Sequence, residues 1–125
     1  MREERMAPDL VIRRYLSAME ACDLDGVLAC FAEDGMITSP VYGQVAVRPF
    51  YERLFADTVS AEVSIHNVYQ ATDQPRRWAA HFGYTWTRRN GSPVSTDLVD
   101  LFEFDGAADL ITHLRIIFDK PAQPA

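Results

Sequence analysis

With 125 residues, 48% of them hydrophobic and 11% aromatic, the chain can fill one sizeable core and is too short for two. Its formal net charge of -6 argues against a nucleic-acid partner, because phosphate contacts need a positive stripe and the arginine pairs 13–14, 76–77 and 88–89 are scattered. No apolar run has the length of a secretion signal or membrane span, and Cys22 and Cys30 have no histidine at zinc-ligand spacing, so the expectation is a cytoplasmic protein with reduced thiols and no metal or cofactor.

Pro8 suits a first helical turn and Asp9 the positive end of a helix dipole, which predicts a helix over residues 8–21 with a buried stripe of Val11, Ile12, Tyr15, Ala18, Met19 and Cys22. Asp23 can cap a second helix on which Leu24, Val27, Leu28 and Phe31 recur at helical spacing, and Glu33-Asp34-Gly35 stops it. Residues 36–39 read as a short strand ended by Pro40, followed by a turn at Tyr42-Gly43. A third helix is predicted over residues 47–59, with Pro49 in its first turn and an apolar face of Phe50, Tyr51, Leu54 and Phe55.

Beyond residue 60 the period changes to two, giving strands over 61–70, 77–88, 94–104 and 109–118. Asn90-Gly91 and Asp105-Gly106 are hairpin chemistry, so these strands should form an antiparallel meander. Three helices followed by a long sheet predict one α+β domain over 1–125, ordered over about 7–119, with the helices in the concave face of a strongly curved, mostly antiparallel sheet. In the strand 77–88, neither face carries a charge near its middle, which predicts that the second face of the sheet is covered by another copy in a homodimer.

Asp100 is the residue that points to chemistry. On alternation it shares a face with Leu98, Phe102 and Phe104, which sets a carboxyl group among apolar side chains. Such a group finds a cation, for which Arg115 is available, or takes up a proton and becomes a hydrogen-bond donor; on an edge strand it would face water instead.

The segments Arg14-Tyr15-Leu16, Asp23-Leu24-Asp25, Phe31-Ala32-Glu33-Asp34-Gly35 and Pro40-Val41-Tyr42-Gly43, together with Leu98-Val99-Asp100-Leu101-Phe102-Glu103-Phe104-Asp105, resemble ketosteroid isomerase and its SnoaL-like relatives in the nuclear transport factor two-like superfamily. The resemblance implies a cone of three helices and a bent sheet around a small hydrophobic ligand. It further implies that Tyr15 and Asp100 donate hydrogen bonds to an oxygen that gains negative charge, in isomerase, cyclase or dehydratase chemistry without a cofactor. Where the isomerases keep the aspartate that moves the proton, this chain has Ser39 before Pro40, and a serine hydroxyl is too weak a base for that task unaided.

Histidine is the usual substitute, and the resemblance implies that His81 and His113 line the pocket; period two alone sends Trp78, Phe82 and Trp86 inward and His81 outward. Arg115, on the face of Ile111, His113 and Ile117, would either clamp Asp100 or bind a ligand carboxylate. Ser39, Arg115, Phe55 and Phe102 complete the expected substrate contacts. The alternative is a non-catalytic ligand-binding or dimerisation module of the same fold, motivated by the loss of the usual base.

Overall fold

A computed structural model describes residues 7–40, 42–107 and 109–118. Helix α1 (Pro8–Glu20) starts at the proline, and Asp9 in its first turn holds Arg13 at 2.8 Å. Its buried stripe of Val11, Ile12, Tyr15, Leu16, Ala18 and Met19 forms the helical side of the core. Burying a side chain such as Ile12 or Leu16 stabilises the fold by about 1.5–3 kcal/mol each.

The chain leaves α1 through Cys22, whose φ of 54° is left-handed, and enters α2 (Leu24–Leu28). Asp23 caps α2, its Oδ1 accepting the Gly26 N–H at 3.0 Å. So short a helix depends on its ends, and Asp23→Ala is expected to lower stability by about 1 kcal/mol, read as a reduced urea midpoint.

Strand β1 (Phe31–Ser39) is longer than expected, with Glu33-Asp34-Gly35 lying inside it. Those residues sit where the pairing with β6 (Ile111–Phe118) slips between Phe31 and Met36, so Glu33 and Asp34 stay in solvent while Phe31 is buried in the core. Gly43, at φ 73°, turns the chain into β2 (Gly43–Ala46), an edge strand that residue pattern did not reveal.

Helix α3 (Val47–Ala56) stops before the expected residue 59, and β3 (Thr58–Gln70) takes over at once. Thr58 fixes that junction. Its hydroxyl donates to the Leu54 carbonyl at 2.6 Å and accepts the Trp86 indole N–H at 2.9 Å. Strands β4 (Arg77–Arg88) and β5 (Val94–Phe104) follow, and the sheet order is β2-β1-β6-β5-β4-β3. The meander β3 to β6 is antiparallel, and β1 joins it parallel to β6, which makes this a mixed six-stranded sheet carrying three helices.

Inner-face residues Ile37, Ala80, Phe82, Phe102, Ile111 and Leu114 close the core against α1. Among the described residues, no helix is long and apolar enough to cross a membrane. The expected end of the ordered region near residue 119 lies outside the described residues.

Candidate active site

Alternation along β4 and β5 sends Phe82, Tyr84, Leu98 and Asp100 to the helical side of the sheet, where they meet α1 and α3 around a cavity of about 400 Å³. Its deep end is formed by Tyr15, Tyr51 and Asp100, which are 1%, 1% and 2% exposed. Aromatic walls follow, with Phe50 and Trp86 among them, and the exposed end is marked by Tyr42, Arg53, Arg88 and the half-buried Asp57. Each arginine is stacked. The Arg53 guanidinium lies 5.7 Å from the Tyr42 ring centre, and that of Arg88 lies 5.3 Å from Trp86.

Tyr15 reaches the cavity from the buried stripe of α1 and is held edge-on by Phe31 and Phe102, both with ring centres 5.8 Å away. Its hydroxyl hydrogen-bonds that of Tyr51 and also approaches the Met19 sulfur at 3.7 Å. Burial raises both phenols well above their ordinary pKa, with each other's proximity and the Asp100 charge adding to it for Tyr15. Tyr84 is raised as well, first by burial and then by Cys22 and Asp100. All three therefore remain protonated donors at neutral pH.

Among the described residues, Asp100 has no cation beside it. Burial pushes its pKa up to about 8, and Oδ1 has no hydrogen-bond partner among the described residues. A carboxyl group in this position is largely neutral at pH 7 and carries a proton it can donate. The same group becomes a base once a ligand has taken that proton.

Arg115 does not clamp Asp100. It is exposed on the outer face of β6, opposite Leu101 and Thr38. A slip between β5 and β6 pairs Phe104 with Ile111 but Glu103 with His113, leaving Thr112 as an extra residue. That irregularity lets Ile111 and Leu114 both face the core, and turns His113 and Arg115 outward.

The expected pocket positions of both histidines are corrected in consequence. His113 hydrogen-bonds Thr38 at 2.7 Å and lies 3.8 Å from Glu103. His81 alternates with the fully buried Phe82, so it projects from the opposite face of β4, where its ring stands 4.7 Å from that of His66. Neither lines the cavity. Phe55 and Phe102 are also displaced from the expected substrate contacts, because they pack behind the lining: Phe55 against Tyr51 and Phe102 against Tyr15. Ser39 does line the cavity, with its Oγ accepting the Tyr42 N–H at 3.3 Å.

Tyr51 is the cavity residue that sequence reasoning left among undifferentiated aromatics. The only hint was a tyrosine, rather than a phenylalanine, on the apolar face of α3, since a buried hydroxyl needs a partner.

The chain belongs to the SnoaL-like domain family, whose model matches residues 12–114. Its fold is also that of a protein with a ketosteroid isomerase-like fold from Catenulispora acidiphila, solved in complex with trimethylamine: TM-score 0.76, 16% identity, 91% of this chain and 88% of that one. A putative aromatic ring hydroxylase from Novosphingobium aromaticivorans is similar at TM-score 0.79, with 17% identity over 92% and 88% of the two chains. The BvnE pinacolase from Penicillium brevicompactum is similar at TM-score 0.76, with 13% identity over 90% and 82%.

Proposed function

We propose that this chain is a single-domain enzyme of proton transfer acting on a flat, largely apolar molecule with a carbonyl oxygen. In this reading the oxygen lies at the deep end of the cavity, where Tyr15 donates a hydrogen bond to it and Asp100 supplies the proton that it gains as the enol forms. Donors fixed in advance in a water-poor site stabilise charge developing on that oxygen more than water does. The reaction class is isomerase, cyclase or dehydratase chemistry.

One observation carries the reading: Asp100 is buried with no cation and one unpartnered oxygen among the described residues, and its pKa is pushed up to about 8. A group titrating so close to neutrality can give up a proton and take it back. With the histidines outside the cavity, Asp100 is assigned both transfers: it passes its proton to the carbonyl oxygen, and the carboxylate so formed takes the proton from the adjacent α-carbon, which leaves a neutral enol and a reprotonated Asp100. Ser39 orients the ligand. The names of similar structures, a hydroxylase and a pinacolase among them, support small-molecule chemistry in a shared fold without fixing the reaction.

The serine at the usual base position favours the second reading, a binding module without turnover. Deuterium uptake at the α-carbon of 2-tetralone separates the two. The enzyme reading expects the wild-type protein to accelerate exchange over buffer, Asp100→Asn to abolish the acceleration, and His81→Ala and His113→Ala to retain it. Tight binding of 2-naphthol, the phenol resembling the tetralone enol, with exchange at the buffer rate would establish the binding module instead.

The proposal includes a cytoplasmic homodimer. Leu101 and Ile117, 38% and 44% exposed on the outer face of β5 and β6, supply apolar surface for a second copy, and the free thiols Cys22 and Cys30 suit a reducing compartment.

A further inference from the structure

We propose that His66, His81 and Asp97 form a binding site for a divalent cation of the zinc class on the outer face of the sheet. Nε2 of His66 lies 3.6 Å from Asp97 Oδ1, and Nε2 of His81 lies 3.7 Å from Oδ2 of the same carboxylate. One ligand atom from each residue falls within 4.8 Å of the others. These separations are too long for hydrogen bonds. The two histidine–carboxylate distances are close to the edges of a ligand tetrahedron, in which metal bonds of about 2.0–2.2 Å set neighbouring ligand atoms roughly 3.3–3.6 Å apart, and the wider spread of the trio closes by side-chain rotation as an ion binds.

Backbone pairing explains why three residues distant in sequence converge. Asp97 on β5 stands opposite Gly83 on β4, and Gly83 stands opposite Ser64 on β3. The register of β3 slips between Ile65 and Asn67, so His66 is the extra residue of a bulge beside His81. His66 and Asp97 thus lie two strands apart, about 9–10 Å on a flat ladder. They meet because the strand between them carries no side chain at residue 83, where an added Cβ would lie 3.7 Å from His66 Nε2 and 3.9 Å from Asp97 Oδ1.

Two imidazoles and one carboxylate select a borderline cation such as Zn²⁺ over Mg²⁺ or Ca²⁺, which favour all-oxygen shells. Three protein ligands leave a fourth position for water. In the single chain the side chains are 42%, 35% and 65% exposed, and the surface assigned above to a second copy centres on Leu101 and Ile117 of β5 and β6, so an ion reaches the three ligands from solvent. All three ligands come from one chain, and bound metal would tie together three neighbouring strands. The site lies across the sheet from Asp100, and the proton transfer proposed above uses none of its atoms. Regular cysteine and histidine spacing gave no sign of it, because each ligand comes from a different strand.

The test is titration of EDTA-stripped, dialysed protein with ZnCl₂ by calorimetry, with native mass spectrometry for stoichiometry. One ion per chain is expected, together with a higher melting temperature in Zn²⁺ and no such rise in equimolar Mg²⁺. His66→Ala and Asp97→Asn should each weaken binding at least about tenfold, since even outer-shell losses cost that much. Gly83→Val, which keeps every ligand but fills the gap, should also weaken it, whereas His113→Ala should leave it unchanged. Absence of stoichiometric binding, or equal affinity in the wild-type and Asp97→Asn proteins, would overturn the site.

Discussion

Replacing Asp100 by asparagine is expected to make the protein more stable at pH 8, by several kcal/mol, and to make little difference near pH 4. Burial raises the folded-state pKa of Asp100 from 3.8 to about 8. Below the unfolded value both states hold the proton and folding carries no proton-linked penalty. Between the two values the folded chain retains a proton that the unfolded chain has released, and stability falls by about 1.4 kcal/mol per pH unit. Above pH 8 both states are ionised and the slope returns to zero. From pH 5 to pH 8 the wild-type protein should therefore lose about 3–4 kcal/mol that the variant keeps. Urea denaturation of both proteins at four or five pH values measures the difference directly, with other titrating groups cancelling. Parallel curves would mean that the carboxyl is solvated or paired, and would remove the neutral donor on which the proposed chemistry relies.

The inward direction of Asp100 was legible because β5 is regular from Val94 to Phe104, so one apolar face at Leu98, Phe102 and Phe104 fixes every residue between them. Strand β4 was equally readable, and its alternation placed His81 correctly on the outer face where the family resemblance placed it in the pocket. Legibility failed at irregularities. The extra residue at Thr112 moved His113 and Arg115 away from the face of Ile111, and the bulge at His66 was invisible, because a one-residue slip leaves no mark on hydrophobic period. The parallel seam of β1 with β6 depends on partners some 75 residues apart, such as Thr38 and His113, and no local pattern encodes it. Short apolar runs such as Leu24 to Phe31 fit helix and strand alike until the sheet decides.

The Tyr15→Phe variant is expected to bind 2-naphthol about tenfold to a hundredfold more weakly at pH 7, the loss of one hydrogen bond to a charge-bearing oxygen being worth roughly 1.5–3 kcal/mol. Tyr51→Phe should weaken it less, because the Tyr51 hydroxyl is bonded to that of Tyr15 and acts on the ligand by polarising it. Both phenols are buried, so each single variant also leaves its partner unsatisfied and should lower stability by about 1–3 kcal/mol. Removing both hydroxyls leaves no orphan, and the double variant should be less destabilised than the sum of the singles. Calorimetric binding and urea denaturation of all four proteins close the cycle. A larger binding loss in Tyr51→Phe than in Tyr15→Phe would reverse the order of the relay and make Tyr51 the group that touches the oxygen. Unchanged binding in both would remove the two helix phenols from the oxygen site and leave Asp100 to act with Tyr84 alone among the buried donors, in a cavity whose remaining walls are mainly aromatic and aliphatic.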